Sequence, residues 1–447
     1  MCDRQLAKPS AGRRSSGCRL GSAPLWPTGT FVHVVSAVTK VIGSVGLVCL
    51  ATSSVLAASG CASEDRNVAS GHNLGGSGAG SLNSAEDFWN IDTRLAAVTS
   101  SAQRITYTST SGINDSDYKV TGAVFVPKGE PPAGGWPLVA FGHPATGVLR
   151  ECAPSSSPTL LGQAATVTEL IKAGYVVAVP DYQGLGSSTT TRHPFLDPTT
   201  EAYNLIDSMS AIRKLVPDTS DTWFAFGIGQ GGQAAWAADE LVENHGLGLK
   251  LAGAVSVSPI ADIEGLADRA AAGQLTADQK LLLVSYLAGL KNTYGDDVNL
   301  DDYRRGAATE KWDALLACDV KSTDELVRLA NQISADDMRP KSRDALERLR
   351  GFLQKIALPQ GPTSAPMIVI YGGQDPLIPR EWTERALERA CRMGDVIQIQ
   401  FQADKGGADV DVSGPLRWMS DRLNGAPAHN DCAAFTIVST GPPRGGG

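Results

Sequence analysis

The chain has 447 residues, 42% of them hydrophobic and 19% charged, so it can bury a sizeable core and is neither low-complexity nor disordered in composition. Its formal net charge is −8; residues 1–60 hold six of the 39 Lys+Arg and one of the 47 Asp+Glu, which leaves 33 against 46, or −13, for the remainder. A body that acidic excludes nucleic acid as a partner.

Residues 1–60 read as an export signal. Lys40 precedes an apolar stretch rich in small residues, Val41 to Ala58, and Ala58-Ser59-Gly60-Cys61 follows. This resembles a bacterial lipoprotein signal, in which Cys61 carries the lipid and the mature protein sits at the cell membrane; Ala58 stands where leucine is usual, and ordinary secretion is the alternative. Residues 61–84 contain GHNLGGSGAGSLNS, a flexible Gly/Ser tether. The folded body is expected over 85–447.

Within that body Arg104 to Thr110 and Tyr118 to Pro127 read as strands, the second with Val120, Gly122, Val124 and Val126 on one face. Short apolar strands follow at Pro137 to Phe141 and Tyr175 to Pro180, separated by a helix over Gln163 to Ala173. The spacing of Tyr203, Ile206, Met209, Ile212 and Leu215 predicts a helix over Thr199 to Leu215. Trp223 to Phe226 is a strand that runs into Gly227, Gly229, Gly231 and Gly232 and then a helix-prone stretch, and another strand covers Leu251 to Val257. Strands alternating with helices at this rhythm predict a doubly wound, mostly parallel α/β sheet.

From about 260 to 362 the strand rhythm stops. Thr276 to Gly289, Asp313 to Cys318, Thr323 to Ile333 and Ser342 to Ile356 are amphipathic helices, read as a cap over the strand ends or, alternatively, a packing insertion. The sheet resumes at Met367 to Tyr371, followed by a helix over Glu381 to Met393, a strand over Val396 to Phe401 and a helix over Pro415 to Leu423.

Of eight cysteines, Cys2, Cys18 and Cys49 precede the processing site and Cys61 belongs to it. Cys152, Cys318, Cys391 and Cys432 remain, which suits two disulfides in an exported protein. Their spacing matches no zinc motif, so neither metal nor cofactor is expected.

The stretch Gly227-Ile228-Gly229-Gln230-Gly231 lies between a strand and a helix, where α/β-hydrolases carry the G-x-S-x-G elbow that aims a nucleophilic serine. Together with GHPATG at 142–147, DYQGLG at 181–186 and YGGQDPLIP at 371–379, the chain resembles the secretory lipase family from about residue 90 to 432. The resemblance implies an α/β-hydrolase fold with an inserted helical cap, and a serine, aspartate and histidine triad. Asp375 occupies the acid position. Gly229 stands at the nucleophile position and Lys405 at the histidine position, in Ala403-Asp404-Lys405-Gly406. Glycine has no oxygen to attack an ester, and an ordinary lysine is protonated at neutral pH and cannot act as the base.

The same resemblance places the oxyanion and pocket residues at His143, Pro144, Gly147 and Gln230; Pro144 stands where the family commonly has glycine, and with no N–H it removes one potential donor. It pairs Cys152 with Cys318 and Cys391 with Cys432. The resulting expectation is a catalytically degenerate, exported relative that binds an acyl or lipid ligand or a protein partner, with Asp375 and Lys405 as a static ion pair. The alternative is an active carboxylic-ester hydrolase using another nucleophile, or water held by Lys405 and Asp375. Ser187, Ser256 and Ser258 are serines near the pocket, none on a Gly-flanked strand-to-helix turn.

Overall fold

Continuous apolar runs form the middle of the sheet and alternating ones its edge, as burial on two faces or one requires. The computed structural model describes residues 72–73, 77–186, 191–246, 248–318, 323–411 and 413–439. Ten strands run β1 (His72–Asn73), β2 (Leu82–Asp87), β3 (Thr99–Thr110), β4 (Asp117–Pro127), β5 (Trp136–Gly142), β6 (Val176–Pro180), β7 (Thr219–Ile228), β8 (Lys250–Val257), β9 (Met367–Gly372) and β10 (Ile397–Gln402). Their spatial order is β1-β2-β3-β4-β6-β5-β7-β8-β9-β10. The pairs from β1 to β6 are antiparallel, and every pair from β6 through β5 to β10 is parallel. Every residue of β6 and β9 is buried, whereas along β3 burial alternates through Ile105, Tyr107 and Ser109.

Helices cover both faces. One layer holds α1 (Thr93–Val98), α2 (Ala164–Lys172) and, late in the chain, α12 (Ser413–Leu423), packed through Val167, Leu170, Trp418 and Met419 onto Val177, Phe224 and Ile368. The other holds α3 (Pro198–Leu215), α4 (Gln230–His245) and α11 (Arg380–Met393), packed through Leu205, Met209, Ala234 and Leu387 onto Ala178, Ala225 and Val369. The sheet is therefore doubly wound. The last helix, α13 (Cys432–Ser439), lies against α11.

Among the described residues six α-helices lie between β8 and β9: α5 (Gly265–Ala272), α6 (Ala277–Tyr294), α7 (Gly306–Glu310), α8 (Trp312–Leu316), α9 (Thr323–Asn331) and α10 (Arg343–Lys355). They share a core of their own built on Leu283, Leu287, Trp312, Leu349 and Leu353. Helix α6 is tied across the strand ends. Thr276 Oγ1 donates to the Pro376 carbonyl at 2.9 Å and Gln279 Nε2 to that of Leu377 at 3.1 Å, beyond β9. Near its other end Asn292 Nδ2 donates to the His193 carbonyl at 3.1 Å, in the connection after β6.

The expected boundary between tether and body moves. Strand β2 begins at Leu82, inside the stretch read as tether, and Leu82 is 2% exposed. The sequence LNSAED has no apolar alternation; its strand exists because its backbone pairs with β3, a partner that local pattern cannot reveal. Helices α1, α5 and α13 were likewise invisible to apolar spacing. The export signal and Cys61 lie outside the described residues, and no helix among the described residues is long and apolar enough to cross a membrane.

Candidate functional site

The turn from β7 into α4 is sharp. Gly229 sits at φ 60° and ψ −114° as the N-cap of α4, a conformation that costs any residue with a Cβ. Its N–H donates to the Val257 carbonyl at 2.9 Å, and its own carbonyl accepts from Gln233 N–H (3.1 Å) and Ile260 N–H (3.2 Å). The flanking glycines are required by close approach: a Cβ on Gly227 would lie 1.8 Å from the Gly231 carbonyl oxygen, and one on Gly231 1.9 Å from that of Gly142. Gly229 differs. A Cβ there meets nothing nearer than Pro144 Cβ at 3.7 Å, so the slot for a side chain is open.

Gln230 opens α4, and its backbone N–H precedes the first intrahelical bonds, as an oxyanion donor must. Its buried side chain is fixed. Gln230 Nε2 donates to Glu201 Oε1 at 2.6 Å and lies 3.1 Å from His193 Nε2. His193 Nδ1 faces the Gln183 carbonyl at 2.8 Å, so Nδ1 carries the proton and Nε2 accepts from the Gln230 amide. Burial lowers His193 to about 3 and pushes Glu201 well up. Tyr182 stacks on His193 with ring centroids 6.1 Å apart, and its hydroxyl donates to the His143 carbonyl at 3.1 Å. His143 is fully buried, is lowered to about 4 by that burial, and donates from Nδ1 to the Pro144 carbonyl at 2.7 Å. Its ring and carbonyl tie the loop after β5 to Pro144 and Tyr182.

A cavity of about 800 Å³ opens between the strand ends and the cap helices, lined by two neighbours of Gly229, Pro144 and Ile260, though not by Gly229 itself. Pro144 and Gly147 line one side; Phe195, Ile260, Leu282 and Leu315 give it apolar walls. Gly147 has φ 130°, and a Cβ there would lie 2.5 Å from Cys152 Sγ. Cys152 bonds Cys318, joining this loop to the segment after α8, and Cys391 bonds Cys432, joining α11 to α13.

Asp375 follows β9. Its Oδ1 accepts from Leu377 N–H at 2.8 Å and Ile378 N–H at 3.1 Å. Burial raises its pKa, and the carboxylates of Asp278 and Asp409 add to the rise. The expected ion pair with Lys405 is not formed among the described residues. The Lys405 backbone is tied down instead, its N–H donating to the Gln402 carbonyl at 3.2 Å and its carbonyl accepting from Gln374 N–H at 2.8 Å. Its charge is felt at Asp411, whose pKa is lowered first by hydrogen bonds from Ser413 and only then by Lys405. Ala408 is the residue of this loop that lines the cavity.

A family model for secretory lipases matches residues 153–431. The chain belongs to the secretory lipase family. No curated protein matches it. Its fold is similar to that of lipase A from Candida antarctica, with a TM-score of 0.65 and 14% identity over 79% of this chain and 84% of that one. It is also similar to a hydrolase from Legionella pneumophila (TM-score 0.61, 16% identity, 81% and 100% covered). A third likeness is to the rice cell wall degrading esterase LipA from Xanthomonas oryzae (TM-score 0.60, 19% identity, 82% and 98% covered).

For a secretory lipase the relocated-nucleophile options are poor. Ser256 Oγ is buried and donates to the Gly232 carbonyl at 2.8 Å, and Ser258 Oγ donates to that of Gly407 at 2.9 Å. Ser187 lies outside the described residues. His429 is exposed and pairs with Asp431 at 2.9 Å. Among the described residues no group of His, Cys, Asp or Glu is arranged to hold a metal ion. What the sequence reading missed is Glu201. With Asn204 and Ser208 it recurs at i, i+3 and i+7, a spacing that reads as a solvated helix face. All three are fully buried against the elbow and the sheet edge.

Proposed function

We propose that this secretory-lipase-family protein is an exported, catalytically silent receptor for an acyl ligand, a fatty acid or ester held in the cavity beside Gly229. The observation that carries the reading is the elbow itself: its strained backbone and open side-chain slot are retained while the attacking oxygen is gone. The Gln230 N–H supports binding of a carbonyl or carboxylate, and the apolar walls support binding of a chain. Export is supported by the family and by the two disulfides, which suit an oxidising compartment. Anchoring to the membrane through lipid on Cys61 belongs to the same proposal.

The test pairs two measurements on purified full-length protein: turnover of a short-chain nitrophenyl ester and calorimetric titration with decanoate. Saturable binding without turnover is expected. Turnover that Asp375→Ala abolishes would overturn the proposal, as would failure of decanoate to bind.

A further inference from the structure

The cavity under the cap carries one sign of charge. Among the described residues that line it, Asp278 is the charged one, and no lysine or arginine joins it. Asp278, Leu281, Leu282 and Ser285 recur at i, i+3, i+4 and i+7, so a single face of α6 turns toward the cavity, with a carboxylate at one end, a hydroxyl about 10 Å along the helix and two leucines between. That face is held in place. A capping box of Thr276 and Gln279 closes the start of α6, the same two side chains hold the Pro376 and Leu377 carbonyls, and Asn292 holds that of His193. Asp278 is half-buried in the first turn, where the helix N-terminus favours a negative charge, and it makes no hydrogen bond or ion pair with the other described residues. Its charge is felt at Asp375, whose pKa is raised first by burial and then by Asp278 and Asp409. An anion entering at this end meets its own sign.

We propose that Asp278 selects the head group of the ligand: the cavity takes an amphiphile whose apolar chain lies against Leu281, Leu282 and Leu315 and whose ammonium head sits at the Asp278 carboxylate. The ligand class is a medium-chain ester of an amino alcohol. This rests on the acyl-binding reading above for the chain and adds the sign of the head. An ammonium donates a charge-assisted hydrogen bond to a carboxylate that has no other partner, whereas an alcohol donates a neutral one and a fatty acid brings its own charge against Asp278. The fatty acid still fits the walls, and binds more weakly.

The experiment measures dissociation constants of decylammonium, decan-1-ol and decanoate by calorimetry near neutral pH for the full-length native chain, Asp278→Asn and Asp278→Glu. The native chain is expected to bind decylammonium about tenfold more tightly than decanol, the worth of one charge-assisted hydrogen bond, and to bind decanoate more weakly than decylammonium. Asp278→Asn keeps the shape of the side chain and removes its charge. It should bring the ratio of ammonium to alcohol within about twofold, leave decanol affinity unchanged and strengthen decanoate. Asp278→Glu should keep the preference. Equal native affinity for decylammonium and decanol would overturn the proposal even if Asp278→Asn fails to fold, and so would a preference that survives Asp278→Asn. If the native chain binds none of the three, the acyl-binding reading falls, and this one with it; if it binds decanoate and the ratios never move, only this one falls. Decylammonium bound without decanoate would end the fatty-acid form of that reading and leave this one standing.

Discussion

Gly407 is pressed against the carboxylate of Asp375: a Cβ on that glycine would lie 2.1 Å from Asp375 Oδ2. The loop after β10 thus meets the acid through bare backbone, and Lys405, which the family resemblance puts at the histidine position, forms no ion pair with it among the described residues.

Lys405→Ala should change stability by less than about 0.5 kcal/mol, because a half-exposed lysine without a close ion pair contributes little. Thermal melts of the two proteins would show it. A loss of several degrees would reveal an interaction with Asp375 that the geometry lacks.

Gly229→Ser should fold. Its Cβ finds ordinary contact distance to Pro144, and the cost is the backbone strain of φ 60°, about 1–2 kcal/mol. Gly227→Ala should be far worse, since its Cβ would overlap the Gly231 carbonyl and push α4 off the strand. Urea titration of both variants checks the ranking, and a Gly229→Ser variant less stable than Gly227→Ala would contradict it.

Removing Cys152–Cys318 should cost more than removing Cys391–Cys432. The bridges close loops with sequence separations of 166 and 41 residues. The chain-entropy model gives about 5 and about 4 kcal/mol as upper values, and measured losses of about 2–4 are typical. Paired Cys→Ala variants, melted without reductant, give the order directly.

Stability should fall as pH rises from weakly acid to alkaline, through a cluster of carboxylates that holds the chain returning from α10 to β9. Asp239 Oδ1 accepts from Ser364 N–H (3.0 Å) and Ala365 N–H (2.7 Å), Glu240 Oε2 from Gln360 N–H (3.0 Å) and Gly361 N–H (3.2 Å), and Asp395 Oδ1 from Thr363 N–H (3.0 Å). The other oxygen of each has no partner among the described residues. Burial pushes all three acids up, Glu240 from 4.5 to about 8.

Unfolded, Glu240 ionises near 4.5; folded, it keeps its proton until about 8, so the folded state binds more protons in that window and loses stability as pH climbs through it. Glu240→Gln should remove part of that slope, gaining on the native chain by several degrees in Tm between about pH 5 and about pH 9. His143 and His193 act in the opposite sense at lower pH, where unfolded histidine takes up a proton that the buried rings refuse, and they cancel in this comparison. Parallel melting curves across that range would refute the assignment.

The sequence by itself determined the succession of strands after Thr99, because apolar runs such as those of β6 and β9 have no alternative to burial on both faces. It also identified that position 229 carries no side-chain oxygen, since glycine has none whatever the fold. Only the tertiary structure decided that β2 begins at Leu82, that Lys405 forms no ion pair with Asp375 among the described residues, and that Glu201 reaches Gln230. Those facts depend on which backbone and side-chain groups meet across 16 or more residues of sequence, between Asp87 and Gln103 or between Glu201 and Gln230 for example, and local spacing carries no information about such meetings.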